Sequence, residues 1–193
     1  MVALRLADPG DAGAIAAIYA PHVLAGIASF EVDVPDAAAV AGRMTAGGGL
    51  YPWIVATEPG TGTILGYAHA GRFREREAYR WMAETTVYLA EAAQRRGIGR
   101  WLYEALLATL RRQGFTQAVG AIALPNPASV ALHEAVGFRR AGVLRGAGYK
   151  RGGWINVGYW QRELAPAGSP PDEPRRIADV PLALAGCAGD IVT

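Results

Sequence analysis

The sequence predicts one mixed α/β domain of the α+β kind, with helices first and then a largely antiparallel sheet interrupted by two further helices. Three observations carry this reading. Apolar residues recur at helical spacing in two separated stretches. Short β-rich runs bounded by Gly and Pro fill much of the rest, and 193 residues suit about one domain.

Asp8-Pro9-Gly10-Asp11 sets an N-cap residue, a proline at the first helical position and an acid at the third, each of which satisfies or complements free N–H groups. Ile15, Ile18, Tyr19 and Val23 follow at helical spacing, so a helix starts there. A second short helix is expected from Pro35 to about Met44, closed by Gly47-Gly48-Gly49. The period then changes: Trp53 to Thr57 and Ile64 to Arg72 read as strands around the turn Glu58-Pro59-Gly60-Thr61-Gly62. Thr85 to Leu89 is another β-rich run. Gly97 to Gln113 reads as a helix with Ile98, Leu102, Ala105, Leu106 and Leu110 on one side, ended by Gly114. Ala118 to Leu124 is a short apolar strand, Pro127 to Val136 a helix capped by Asn126 with Gly137 beyond its end, and Trp154 to Leu164 a closing strand. Residues 1–164 make the domain. Residues 165–193 open with Ala165-Pro166-Ala167-Gly168-Ser169-Pro170-Pro171, a composition that resists regular structure, and read as a tail.

Composition narrows the function. Cys187 is the single cysteine, so no intrachain disulfide forms, and no Cys/His spacing suits zinc; the default setting is reducing and cytoplasmic, with no metal. Nineteen basic against seventeen acidic residues leave a net charge of +2, too little to mark a nucleic-acid binder as a whole. Eighteen of the basic residues are arginine and one is lysine, a bias that genome composition explains as readily as function. Residues 12–30 lack Asp, Glu, Lys and Arg, yet Pro21 and His22 interrupt them and no basic leader precedes them, so the reading is soluble, with no membrane partner.

The sharpest local pattern is Gln94-Arg95-Arg96-Gly97-Ile98-Gly99, followed by Arg100, between a strand and the long helix. Glycines at a helix start let backbone N–H groups approach an anion, and the arginines raise the local positive potential. It matches neither known phosphate motif: no Gly-Lys-Ser/Thr follows, and Leu102 stands where a dinucleotide fingerprint has its third glycine. Alone, Gly-x-Gly reads equally as a tight turn. Glu84 shares a strand face with Thr86 and Tyr88; alone it reads more readily as a solvated glutamate than as a base. Asn126, Ser129 and His133 share a helix face. Arg72, Arg74, Arg76 and Arg80, with Tyr79 and Trp81 among them, fit a solvated loop, a nucleic-acid contact or an anion pocket. Trp53, Trp101 and Trp160 read as core, and His22 and His69 as structural.

In order along residues 4–164, the sequence resembles the GNAT N-acetyltransferases and, within them, the phosphinothricin N-acetyltransferase family. The stretches that carry it include Ala28-Ser29-Phe30-Glu31, Tyr51-Pro52-Trp53, Ala78-Tyr79-Arg80-Trp81, Glu84-Thr85-Thr86-Val87-Tyr88-Leu89, Gln-x-x-Gly-x-Gly, Leu124-Pro125-Asn126, Leu132-His133-Glu134 and Gly152-Gly153-Trp154. The resemblance implies the acyl-CoA N-acyltransferase fold, with two central strands splayed apart, and transfer of acetyl from acetyl-CoA to the amino group of a small amino-acid-like acceptor. It implies that the pantetheine arm pairs with the strand of Val87, Tyr88 and Leu89, that the pyrophosphate lies on Gln94 to Arg100, and that Asn126 and Ser129 belong to the same cofactor site. Glu84 is then the general base. His133 stands where many members have tyrosine, and serves as proton donor to the CoA thiolate or as a substrate contact. Arg74 and Arg76 would pair with the acceptor's negative oxygens, and Phe30 and Tyr79 would wall its chain. The resemblance also implies a homodimer. Rival readings are an acetyltransferase for another amine such as methionine sulfone, a CoA-binding sensor without turnover, and a nucleic-acid-binding module.

Overall fold

The computed structural model describes residues 2–166, 168 and 171–183; Cys187 lies outside them. Seven strands form one sheet: β1 (Ala3–Leu6), β2 (Trp53–Thr57), β3 (Ile64–Arg72), β4 (Met82–Leu89), β5 (Gln117–Leu124), β6 (Arg139–Lys150) and β7 (Gly153–Glu163). Their order is β1-β2-β3-β4-β5-β7-β6, and every neighbouring pair is antiparallel except β4 and β5. That one parallel pair needs a crossover, which α3 (Ile98–Gln113) supplies. The other helices are α1 (Ala12–Leu24), α2 (Ala37–Ala46) and α4 (Pro127–Ala135).

Local chemistry sets the helix ends. Asp8 caps a 3-10 turn at Pro9–Asp11 in a reciprocal capping box with Asp11, and α1 continues from it. α2 starts at Ala37, two residues later than Pro35, because the Asp36 side chain accepts from Ala39 N–H (2.7 Å) and is therefore the cap. Gly114 closes α3 at φ +99°, a conformation that side chains resist.

Alternation along the central strands sends side chains to two cores. Ile54, Ala68, Ala70 and Ile122 meet Leu102, Tyr103, Leu106 and Leu110 of α3 on one face. Trp53, Val55 and Tyr67 meet Ile15, Ile18 and Val40 of α1 and α2 on the other. The predicted apolar stripe of α3 is buried throughout, each large member being worth about 1.5–3 kcal/mol. Trp53 and Trp160 are core as expected. Trp101 is not: it lies on the exposed side of α3, because the stripe one residue away already faces the sheet.

Two strands lie outside the sequence-based elements. β1 precedes the first helix, so helices do not come first; it is four residues long and pairs on one side only. β6 is an edge strand, exposed along most of its length and broken by two register shifts, so its residues never needed an alternating pattern. The tail is without strand or α-helix over its described residues, yet it docks along α3. Arg175 N–H donates to Gln113 O (2.7 Å), and Gln113 Nε2 donates to Arg175 O (2.7 Å) and Leu50 O (2.8 Å). Val180 and Ala183 are buried.

Candidate active site

The sheet opens at one place. β4 and β5 pair at Met82 with Gln117, Ala83 with Ala118 and Glu84 with Val119, and there the pairing stops. Thr85 marks the parting, its hydroxyl donating to Val119 O (3.1 Å). Beyond it a cleft of about 530 Å³ runs between Thr86, Val87, Tyr88 and Leu89 on one wall and Ala121, Ile122 and Ala123 on the other. The free edge of β4 offers unpaired backbone groups to whatever enters. Asn126, Ser129 and His133 of α4 line it too, as the shared helix face predicts.

The cleft mouth lies over the start of α3. Gln94, Arg95, Gly97, Gly99 and Arg100 border it. Arg95 and Gly97 both have positive φ, +58° and +78°, which curls the chain so that successive N–H groups face outward at a helix N-terminus. A Cβ on Gly99 would come 3.3 Å from Leu132 and 3.4 Å from Leu89, so glycine there lets α3 close on α4 and β4. Two expected members stand apart. Ile98 sends its side chain into the core, Arg96 is exposed, and neither is in the cleft lining.

At the apex of the parting, a buried chain of polar groups joins β4, α3 and α4. Ser129 O lies 2.7 Å from His133 Nδ1; a carbonyl only accepts, so Nδ1 carries the proton. His133 Nε2 is then an acceptor for the Tyr103 hydroxyl at 2.8 Å, and that hydroxyl lies 3.2 Å from Thr85 Oγ1. His133 is 4 % exposed, and burial holds its pKa below the ordinary imidazole value, with the Ser129 carbonyl pulling the other way. Gly120 makes room for this ring: a Cβ there would be 2.7 Å from His133 Cδ2 and closer still to Nε2. Tyr103, which the sequence reading leaves out of the site, is fully buried beside the apolar stripe of α3.

Glu84 is the last residue of β4 that pairs with β5 and, with Thr86 and Tyr88, faces the α1 side of the sheet. Burial raises its pKa, and the Arg74 charge works against that rise. Arg74, Arg76 and Tyr79 line a second depression of about 360 Å³ together with Glu75. Phe30 borders neither space; it is half-exposed and packs on Gly148. His22, read as structural, lines the cleft with its ring 4.7 Å from Tyr88. His69 is stacked 4.0 Å from Trp53, as a structural histidine would be. Among the described residues no helix is long and apolar enough to cross a membrane, and no group of three or more His, Cys, Asp or Glu could hold a metal.

A mixed sheet parted between its two parallel strands, with a glycine- and arginine-bearing helix start at the mouth and Glu84 on the last rung before the parting, suits an acyl-transferring class of protein. Residues 4–157 match the acetyltransferase (GNAT) domain, and the chain belongs to that GNAT acetyltransferase family. It is 49 % identical over 114 residues to a phosphinothricin N-acetyltransferase of Streptomyces viridochromogenes, a match spanning 59 % of this chain and 61 % of that relative. It is 40 % identical over 166 residues to the phosphinothricin N-acetyltransferase of Alcaligenes faecalis, covering 83 % of this chain and 82 % of the other. The crystal structure of a GNAT phosphinothricin acetyltransferase from Sinorhizobium meliloti in complex with AcCoA superposes with a TM-score of 0.81 at 38 % identity, over 84 % of this chain and 88 % of that one.

Proposed function

We propose that the protein transfers acetyl from acetyl-CoA to the amino group of a small anionic amino acid of the phosphinothricin or methionine sulfoximine type. The parting of β4 from β5 carries this reading, because it supplies a free strand edge and a basic mouth in one continuous cleft. Gln94, Arg95, Gly97, Gly99 and Arg100 receive the pyrophosphate, and the edge from Val87 to Leu89 pairs with the pantetheine amides. Asn126 and Ser129 border the same cofactor space. In the acceptor depression, Arg74 and Arg76 pair with carboxylate or phosphinate oxygens and Tyr79 supplies an apolar wall.

Glu84 takes a proton from the acceptor ammonium, directly or through water; the neutral nitrogen attacks the thioester carbonyl, the C–N bond forms, the C–S bond breaks, and the second proton lost by the acylated nitrogen balances the one that the CoA thiolate gains. Both ring nitrogens of His133 are engaged, so its part in that last step runs through the Tyr103 hydroxyl that it holds. No covalent enzyme intermediate is involved. The exposed apolar face of β6 and β7, with Trp154 73 % and Tyr149 64 % exposed, supports a homodimer; light scattering giving the mass of one chain at micromolar concentration would count against it.

The deciding experiment measures kcat/KM for phosphinothricin, methionine sulfoximine, methionine sulfone, glutamate and spermidine. Preference for the sulfur and phosphorus amino acids supports the reading. Preference for spermidine would overturn the acceptor class, and acetyl-CoA binding without turnover on any amine would overturn the activity.

A further inference from the structure

We infer that Lys150 is a positioning residue for the acceptor, its ammonium fixing the backbone of residues 25–31 beside the cleft. This rests on the acceptor reading above. Lys150 ends β6 at a two-residue hairpin turn, opposite Gly153, with Arg151 and Gly152 both at positive φ (+53° and +78°). Such a turn fixes register, and a slip of one residue would send Lys150 to the opposite face.

From there Nζ donates to three backbone carbonyls: Val23 O at 2.7 Å, Ser29 O at 2.8 Å and Glu31 O at 2.9 Å. An ammonium has three N–H donors, and all three are used. Val23 belongs to the last turn of α1, where carbonyls lack intrahelical partners and the helix end is negative. Arg151 adds a bond to Leu24 O at 3.1 Å. The hairpin tip is thus fastened to the end of α1 and to the segment that follows.

The residue type is itself informative. This chain uses arginine at every other basic position, and lysine only here. Three carbonyls converging on one point suit a compact tetrahedral donor, whereas a guanidinium spreads its donors over three nitrogens in a plane. Bias toward arginine accounts for eighteen residues; the geometry accounts for the nineteenth.

The fastened segment lies over the face of β4 that carries Glu84, Thr86 and Tyr88, where the acceptor amine would be deprotonated. Ala28 lines the cleft, and its carbonyl lies 3.5 Å from the Tyr88 hydroxyl. Ser29 Oγ accepts from Glu31 N–H (3.0 Å), and the Glu31 carboxylate takes a two-pronged bond from Arg43 (2.7 and 2.9 Å) and one from the Tyr19 hydroxyl (3.0 Å). Phe30 lies against Gly148, where a Cβ would stand 2.7 Å from its Cζ. Side chains therefore tie the segment toward α1 and α2, while Lys150 holds its carbonyls from the hairpin. Among the described residues no hydrogen bond joins residues 25–31 to residues 94–100 of the pyrophosphate mouth.

The test uses the full chain. Lys150→Met removes the charge and Lys150→Arg keeps it in the wrong shape; each should raise the acceptor KM by about tenfold, the size of one charge-assisted hydrogen bond, with acetyl-CoA Kd within about twofold of wild type. In a Cys187→Ser background, Lys150→Cys alkylated with 2-bromoethylamine regains an ammonium on a lysine-length stem, and should restore the acceptor KM. Should Lys150→Met fail to fold, Lys150→Arg and the alkylated protein carry the same measurement. A wild-type KM in Lys150→Arg, no recovery on alkylation, or an equal loss of acetyl-CoA affinity would overturn the assignment. Failure of the acceptor reading looks different, since wild type itself would then leave phosphinothricin and its analogues unacetylated.

Discussion

Replacing Gly120 with alanine tests the apex of the cleft most directly. Gly120 lies on β5 opposite Trp160 of β7, and its missing side chain is filled by the His133 ring. An ordinary contact to a Cβ is about 3.4 Å or more, so at 2.7 Å from Cδ2 the ring must move by roughly an ångström. Tyr103 and Phe138, both fully buried, block two sides at 5.0 and 5.1 Å centroid to centroid, which leaves the cleft as the way out. Overpacking costs about 1–3 kcal/mol, and breaking the Tyr103–His133 bond in a buried setting about 1–3 more. Alanine's better backbone entropy returns about 0.5–1 kcal/mol. The net is destabilisation of about 1–5 kcal/mol, or roughly 2–20 °C in Tm for a chain of this length. Thermal and urea unfolding read the loss, and NMR titration should find the His133 pKa moved back toward 6.5 as the ring reaches water. In a His133→Ala background the same substitution should cost almost nothing, giving a large coupling energy. Equal losses in both backgrounds, or an unchanged Tm in Gly120→Ala alone, would refute the packing argument.

Glu84→Gln should lower turnover by about 10²–10⁴ at neutral pH; since burial raises the Glu84 pKa, the acid limb of kcat/KM should lie above the ordinary carboxylate range in wild type and vanish in the variant. Gly97→Val places a β-branched residue at φ +78°, where the strain is in the backbone because nothing lies within 4 Å of the new Cβ, and calorimetry should show weaker acetyl-CoA binding. Burial holds His22, His69 and His133 below the ordinary imidazole value, His69 at about 4, so each is neutral in the fold and the unfolded chain binds more protons once pH drops below about 6.5. Stability should be full above that pH and fall as pH declines toward the folded values, Glu84 opposing as one group against three; a urea midpoint flat from pH 7.5 to 5 would contradict this. Ending the chain at Ala165 removes the buried Val180 and Ala183, and should lower Tm by about 4–12 °C while leaving acetyl transfer intact at low temperature.

What the sequence disclosed depended on whether a residue's job leaves a periodic or chemical trace. Asp8, Asn126 and Gly114 act on their own neighbours, so their caps were legible and the helix ends fell within a residue or two. β6 escaped because an edge strand exposed on most positions needs no apolar period, and its shifts at Arg140 and Leu144 erase what alternation there is. At the site, Gly97, Gly99 and Arg95 were legible as a local motif, and Val87 to Leu89 as a strand. Tyr103 was not: position 103 satisfies the core stripe of α3 and the polar chain at once, and the first role conceals the second. His22 was read as structural because nothing in sequence brings α1 up against Tyr88. Lys150 was counted but not explained, since its three acceptors lie 119 to 127 residues away.

Three rungs between β4 and β5 are a slender seam for a seven-stranded sheet. On one side stand β1 to β4 with α1 and α2; on the other β5, β7 and β6, an antiparallel unit with extensive pairing of its own. Two such halves, meeting at that seam and in the core that α3 covers, have the makings of separate cooperative units that open at different free energies. A molecule seated in the parting replaces the missing rungs, so it should act as mortar as well as substrate, adding about 2.7 kcal/mol at a hundredfold excess over Kd. Hydrogen exchange in the empty protein should then show the β5–β7–β6 unit loosening before the rest, and both halves exchanging as one block once the seam is filled.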